Sequence, residues 1–149
     1  MKELYLAGLI DATGSICLTL YNDGFYRKPI VSIETHTKEL IAWAYDNFGG
    51  AVYQKKKVKG EYYVWRVTGQ DSIELLRKIR PYLQDPNKKA RLAIIVDKYR
   101  VVVKGASLEE MEYGAQIEKE FYELLSDSRE YKPSAVMKIV DSETAAKME

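Results

Sequence analysis

Apolar residues at Leu4, Leu6, Leu9 and Ile10, with the small residues Ala7, Gly8 and Ala12 interleaved, predict a short helix whose end is marked by Gly14. From Ser15 to Tyr21 the period shortens to two. Ile16, Leu18 and Leu20 alternate with Cys17, Thr19 and Tyr21, the signature of a half-buried strand. Asn22-Asp23-Gly24 is a turn signal, and a second alternating run from Tyr26 to Glu34 turns Val31 and Ile33 inward and Lys28, Ile30, Ser32 and Glu34 outward. These two runs make a hairpin.

Thr37 opens an amphipathic helix through Leu40, Ile41, Ala44 and Phe48, closed by Gly49-Gly50. A second hairpin follows, with strands from Ala51 to Lys57 and from Glu61 to Thr68 around a turn at Lys59-Gly60. Its aromatics Tyr53, Tyr62, Tyr63 and Trp65 suit pleated positions. Asp71 with Glu74 reads as a cap and capping-box partner for a helix containing Ile73, Leu75, Leu76 and Ile79, closed by Pro81. Asp85-Pro86 repeats the start signal for a helix through Leu92, Ile95 and Tyr99, and Ser107 with Glu110 opens another that reaches about Leu125. After Asp127 the pattern weakens, and Ala135, Val136, Ile139 and Val140 allow one more short helix. The expectation is an α+β domain over residues 1–127 with a tail at 128–149, and one antiparallel sheet with helices on its inner face.

That order leaves the outer face of the sheet uncovered. On the expected register it carries Thr19, Tyr21, Tyr26, Lys28, Ser32, Glu34, Gln54, Lys56 and Arg66, with Lys59 at the turn beyond the Lys55-Lys56-Lys57 run. Lysine and arginine suit phosphate contact, and the Lys, Arg, Gln, Ser and Thr side chains can hydrogen-bond base edges in a major groove. The same residues also suit a solvated face with edge lysines that block aggregation. Charge favours a polyanion. The net charge of +1 conceals +7 over residues 1–104 and −6 over residues 105–149, a basic body with an acidic end.

Composition excludes several classes. At 149 residues, 46% hydrophobic and 30% charged, the chain fits ordinary globular composition. Its apolar runs are too short for a membrane span, and Leu4 to Ile10, stopped by Asp11, lacks a secretory pattern; the expected location is cytoplasmic or nucleoid, with an organelle also compatible. Cys17 is the single cysteine and His36 the single histidine, which rules out an internal disulfide and a His/Cys zinc set.

The segment Leu6-Ala7-Gly8-Leu9-Ile10-Asp11-Ala12-Thr13-Gly14 resembles the signature of the LAGLIDADG homing endonucleases at every position but one. The order of elements resembles the family's as well, through Val31-Ser-Ile, Phe48-Gly-Gly-Ala-Val-Tyr, Trp65-Arg-Val and Arg80-Pro-Tyr-Leu to Lys88-Lys89-Ala90. The resemblance covers residues 1 to about 125. It implies an αββαββα fold with a saddle-shaped sheet over double-stranded DNA, here with additional C-terminal helices. A chain with one motif is implied to form a homodimer through the motif helices, reading a pseudo-palindromic site.

Gly8 and Ala12, one helical turn apart, let two helix backbones approach closely. Leu6 and Leu9 join them in the expected dimer interface, although a core helix would use Leu6, Leu9 and Ile10 in the same pattern. The single departure is Thr13, where the family carries the acid that binds divalent metal. A neutral hydroxyl is a poor ligand for Mg²⁺. Asp11 is a weak substitute, since two residues turn a helix by about 200°. The family's nearby polar and basic residues align near Thr35 and Pro86, neither of them typical, with Lys88, Lys89 or His36 as alternative cations. The resulting expectation is a DNA-binding homodimer that has lost cleavage and needs no metal. A nuclease with displaced ligands, requiring Mg²⁺, and a maturase bound to intron RNA are the alternatives.

Overall fold

The computed structural model describes residues 1–20, 23–125 and 131–148, so Tyr21 and the expected boundary at 127 lie outside the described residues. Among the described residues, six α-helices and one four-stranded antiparallel sheet follow the expected order. They are α1 (Lys2–Thr13), β1 (Gly14–Leu20), β2 (Arg27–Thr35), α2 (Lys38–Phe48), β3 (Ala51–Lys57), β4 (Gly60–Thr68), α3 (Gly69–Ile79), α4 (Pro86–Ala93), α5 (Leu108–Glu123) and α6 (Ala135–Met148). The strands lie in the order β1-β2-β4-β3. A short 3₁₀ turn at Arg80–Tyr82 precedes α4, and a π-helical turn at Ile94–Lys98 continues it. Among the described residues no helix is long and apolar enough to cross a membrane.

The chain divides into two compact units. The first comprises Met1–Cys17 and Pro29–Leu92. Its core gathers Leu6, Ala7 and Ile10 of α1, Val31 and Ile33 of β2, Trp65 and Val67 of β4, and Leu76 and Ile79 of α3. Each large aliphatic side chain so buried contributes about 1.5–3 kcal/mol, which makes α1 a core element of its own chain. Trp65 is anchored as well as buried, its Nε1 donating to the Gly49 carbonyl at 2.7 Å. Gly50 makes room for it: a Cβ there would stand 2.6 Å from the Arg66 carbonyl oxygen and 3.1 Å from Trp65 Nε1. The helix cap expected at Asp71 falls three residues earlier. Thr68 is the N-cap, and Asp71 lies inside the first turn, where its charge complements the helix dipole.

The second unit comprises Leu18–Lys28 and Ala93–Glu149. Here α5 and α6 pack together, with Phe121, Ile117, Val136 and Met137 buried. Ser107 caps α5 as expected, accepting from the Glu110 amide. At 14 residues α6 is longer than the expected short helix, and its first amides are satisfied by the carbonyls of Gly24 and Phe25. Beneath it lies a buried polar node. Glu118 accepts from Arg27 Nε at 2.8 Å and from the Ser134 amide and hydroxyl, while the Arg27 guanidinium stacks 4.5 Å from the Tyr122 ring.

Tyr26 belongs to this core, which corrects its expected place on an open sheet face. It is 6% exposed, stacks on Tyr99 and donates its hydroxyl to the Gly114 carbonyl at 3.2 Å. The alternating pattern gives Tyr26 the parity of Lys28, but β2 begins only at Arg27, and contacts from α5 cover the ring.

Candidate nucleic-acid interface

The β3–β4 hairpin decides which side chains share the open face. Strand ends at Lys57 and Glu61, as the sequence suggests, leave three residues between them and set Gln54 and Lys56 beside Arg66. The observed loop is the two residues Val58 and Lys59, closed by Lys57 opposite Gly60, whose φ of +119° suits glycine. One residue fewer turns β3 over. Tyr53 now pairs with Val64, Lys55 with Tyr62 and Ala51 with Arg66, and across β2 Ser32 pairs with Arg66 and Glu34 with Val64. Gln54 pairs with Tyr63 and Lys56 with Glu61, on the parity of buried Trp65 and Val67; both are exposed only because the hairpin runs past the core.

The outer strip of the first unit therefore runs from Arg66 through Tyr53, Lys55, Glu34 and Lys57 to Tyr62 and His36. The Arg66 guanidinium lies 5.0 Å from the centre of the Tyr53 ring, Lys55 Nζ 5.7 Å from the same ring, and Lys57 Nζ 4.6 Å from Tyr62. His36 packs 3.8 Å from Tyr62, and its Nδ1 bonds the Glu61 carbonyl at 3.0 Å. Cations held over aromatic faces keep their charge outward while the rings fix their stems. Lys57 donates to Glu34 Oε1, which holds the Glu34 carboxyl below its ordinary range and the Lys57 ammonium above its own. Of the remaining expected interface residues, Ser32 is half-buried, and Thr19, Lys28 and Lys59 are exposed.

At the foot of α1 the charged groups have structural partners. The two Asp11 carboxylate oxygens accept from the amides of Gln84 (2.9 Å) and Asp85 (3.0 Å). Asp85 in turn caps α4, and the Lys88 and Asn87 amides bonded to it lower its carboxyl. Lys88 Nζ reaches back to the carbonyls of Ile10 and Asp11, both at 2.7 Å, neutralising the carbonyl end of α1. Of the three alternative cations, Lys88 is therefore the one bonded to the end of α1, two residues beyond Pro86. Thr13 is exposed, and its Oγ1 donates to the Leu9 carbonyl at 3.0 Å.

This donor set does not fit a divalent metal. Thr13 offers one neutral oxygen already engaged as a donor, and the Asp11 carboxylate, the one anionic group of the motif, is oriented toward the Gln84 and Asp85 amides by a bond on each oxygen. Among the described residues, no group of three or more His, Cys, Asp or Glu could hold a metal ion.

The outward face of α1 is the other candidate surface. Leu6 is fully buried, which removes it from the expected dimer interface; Leu9 is half-buried, and Gly8 and Ala12 are exposed. The wheel explains the split, because Leu6, Ala7 and Ile10 share one side while Leu4, Tyr5, Gly8 and Ala12 share the other. Leu4 and Tyr5 are 46% and 49% exposed, and a Cβ at Gly8 would meet nothing within 4 Å.

No protein-family model matches the sequence, and no curated protein matches it significantly. Solved structures do. The homing endonuclease I-CvuI, solved with its target in the presence of 2 mM calcium, superposes with a TM-score of 0.72 at 18% identity, over 97% of this chain and 94% of that one. The archaeal intron-encoded I-Vdi141I complexed with DNA gives 0.65 at 20% identity, over 97% of both chains. The LAGLIDADG meganuclease I-CpaMI, bound to uncleaved DNA, matches 89% of this chain at 21% identity and a TM-score of 0.51, over 53% of its own longer chain. This chain has the LAGLIDADG homing-endonuclease fold. In that fold the motif read from the sequence is α1 itself, and Thr13 is its last residue. The match spans nearly the whole of I-CvuI and I-Vdi141I but about half of I-CpaMI.

Proposed function

We propose that the chain binds double-stranded DNA as a homodimer, using the outer strip of its sheet, and does not cleave it. The observation that carries this reading is the register of β3. It gathers Arg66, Tyr53, Lys55 and Lys57 on one open face, where cations can meet phosphates and polar tips can meet base edges. The DNA complexes of I-CvuI and I-Vdi141I support duplex DNA as the ligand class. The exposed stripe Leu4, Tyr5, Gly8 and Ala12 supports association through α1, because small residues let the backbones close while leucine and tyrosine supply apolar area. Two identical half-sites then follow from two-fold symmetry. The neutral Thr13, and an Asp11 carboxylate directed toward the Gln84 and Asp85 amides, support loss of cleavage, against the reading in which displaced ligands keep the nuclease alive.

Duplex binding by single variants tests the register. Tyr53→Ala, Lys55→Ala and Arg66→Ala should each weaken binding, and Gln54→Ala and Lys56→Ala should leave it nearly unchanged. The opposite ranking would overturn the assignment of the face, and binding to structured RNA with none to duplex DNA would favour the maturase reading.

A further inference from the structure

The outer strip carries one anion, and that anion is not bystander charge. Glu34 has two carboxylate oxygens and a lysine on each, Lys57 on Oε1 and Lys55 Nζ at 3.8 Å from Oε2. Both lysines project from the same edge strand, separated by one residue, and each is also steered by a ring, Tyr53 or Tyr62. All three charged groups keep a third to a half of their side-chain surface exposed, so the ion pairs face the solvent that a duplex would displace. On a face built only for affinity, a carboxylate between two lysines works against the purpose. It repels phosphates and occupies the cations that would bind them.

We infer that Glu34 is a specificity determinant: an internal counterion that holds Lys55 and Lys57 back from the phosphates of non-cognate duplex. This rests on the DNA-binding reading above. Any polyanion that recruits these two lysines must first take them from Glu34 and then tolerate the carboxylate left behind. A cognate groove can compensate, because a carboxylate accepts a hydrogen bond from a cytosine amino group in the major groove. A non-cognate groove presenting no donor cannot, so the cost falls on the wrong sequences. The depressed carboxyl and raised ammonium of the Glu34–Lys57 pair agree with a partnership that keeps both charges at neutral pH.

Glu34→Gln keeps the shape of the side chain and releases the lysines. Each lysine newly placed on a phosphate steepens the plot of log affinity against log salt by about 0.9, so two per chain, four in the homodimer, steepen it by about 3.6. Non-cognate duplex of random sequence should then bind about a hundredfold more tightly at 50 mM salt than at 200 mM beyond the wild-type dependence. The ratio of cognate to non-cognate affinity should fall. Adding Lys55→Gln and Lys57→Gln to the Glu34→Gln chain should return the slope to the wild-type value or below.

Fluorescence anisotropy across a salt series reads all three proteins, with circular dichroism to confirm that each is folded. If wild type binds duplex but Glu34→Gln leaves both the slope and the ratio unchanged, the inference is wrong and the DNA-binding reading stands. If wild-type protein fails to bind duplex at every salt concentration, both are wrong.

Discussion

Replacing Asp11 with alanine separates two roles for the one carboxylate in the motif. In the structure it is a clamp, accepting from the Gln84 and Asp85 amides and so fixing the residues that lead into α4 and present Lys88. Hydrogen bonds to a charged acceptor contribute about 1.5–3 kcal/mol when sheltered from water. Gln84 is exposed and Asp85 half-buried, so water replaces much of the first bond and part of the second. The net loss for Asp11→Ala is about 2 kcal/mol. For a chain of this length that lowers the melting temperature by about 4–8 °C. Asp11→Asn keeps one acceptor and should lose about half as much. Urea unfolding of the three proteins, followed by circular dichroism and with and without Mg²⁺, measures it. If Asp11→Ala equals or exceeds wild type in stability, the structural assignment fails; if Mg²⁺ stabilises wild type and not the variant, Asp11 is a ligand.

Four further outcomes follow. Gly114→Ala would put a Cβ 2.7 Å from Val102 Cγ2 and 3.1 Å from the Tyr26 hydroxyl, and overpacking of this kind should cost about 1–3 kcal/mol in thermal unfolding. Burial raises Tyr99 and Tyr131 to about 12 and Tyr26 further, so the folded state retains protons that the unfolded state gives up. Stability should therefore be constant up to the ordinary tyrosine range near pH 10 and fall between there and about 12, with a shallower fall in Tyr99→Phe, as urea midpoints against pH would show. Gly8→Glu should leave the fold intact, because its Cβ meets nothing, while sedimentation equilibrium shows the dimer lost; a wild-type monomer at micromolar concentration would remove the α1 interface. Thr13→Asp puts a negative charge at a carbonyl helix end and removes the bond to Leu9, lowering stability by about 0.5–1 kcal/mol, and divalent metal should raise the melting temperature of that variant alone.

The sequence conveys what is local, and it does so closely. Periods of two and of about four place the strands and α1 to α5 within a few residues, since alternation and amphipathic spacing are set by neighbours in the chain, whereas α6 runs eight residues past its last expected apolar position. What it hides depends on counting a loop or on distant partners. One residue in the β3–β4 loop separates Gln54 and Lys56 on the open face from Tyr53, Lys55 and Lys57 there; Val58 has no turn signature of its own, and Gly60 serves equally as a turn or a strand end. The two-residue loop required between Lys57 and Gly60 is the signal that would have given the register. Tyr26 is hidden for another reason, because its covering contact lies 88 residues away in α5. The partners of Asp11 are 73 and 74 residues away, and those of Lys88 77 and 78, so neither side chain announces its role locally. The helical wheel did contain the inward turn of Leu6, since Leu6 and Ile10 are four apart and Gly8 and Ala12 lie opposite them.

The proposal that this LAGLIDADG fold recognises duplex DNA without cutting it can be tested in a single experiment. The most direct measurement incubates the purified protein with a random-sequence duplex library, with and without Mg²⁺, and sequences the bound and the cut molecules separately. The bound pool should be enriched in a pseudo-palindromic site in both conditions, and the cut pool should be indistinguishable from a protein-free control. Metal-dependent cutting at a defined site, or a bound pool with no enriched sequence, would contradict it.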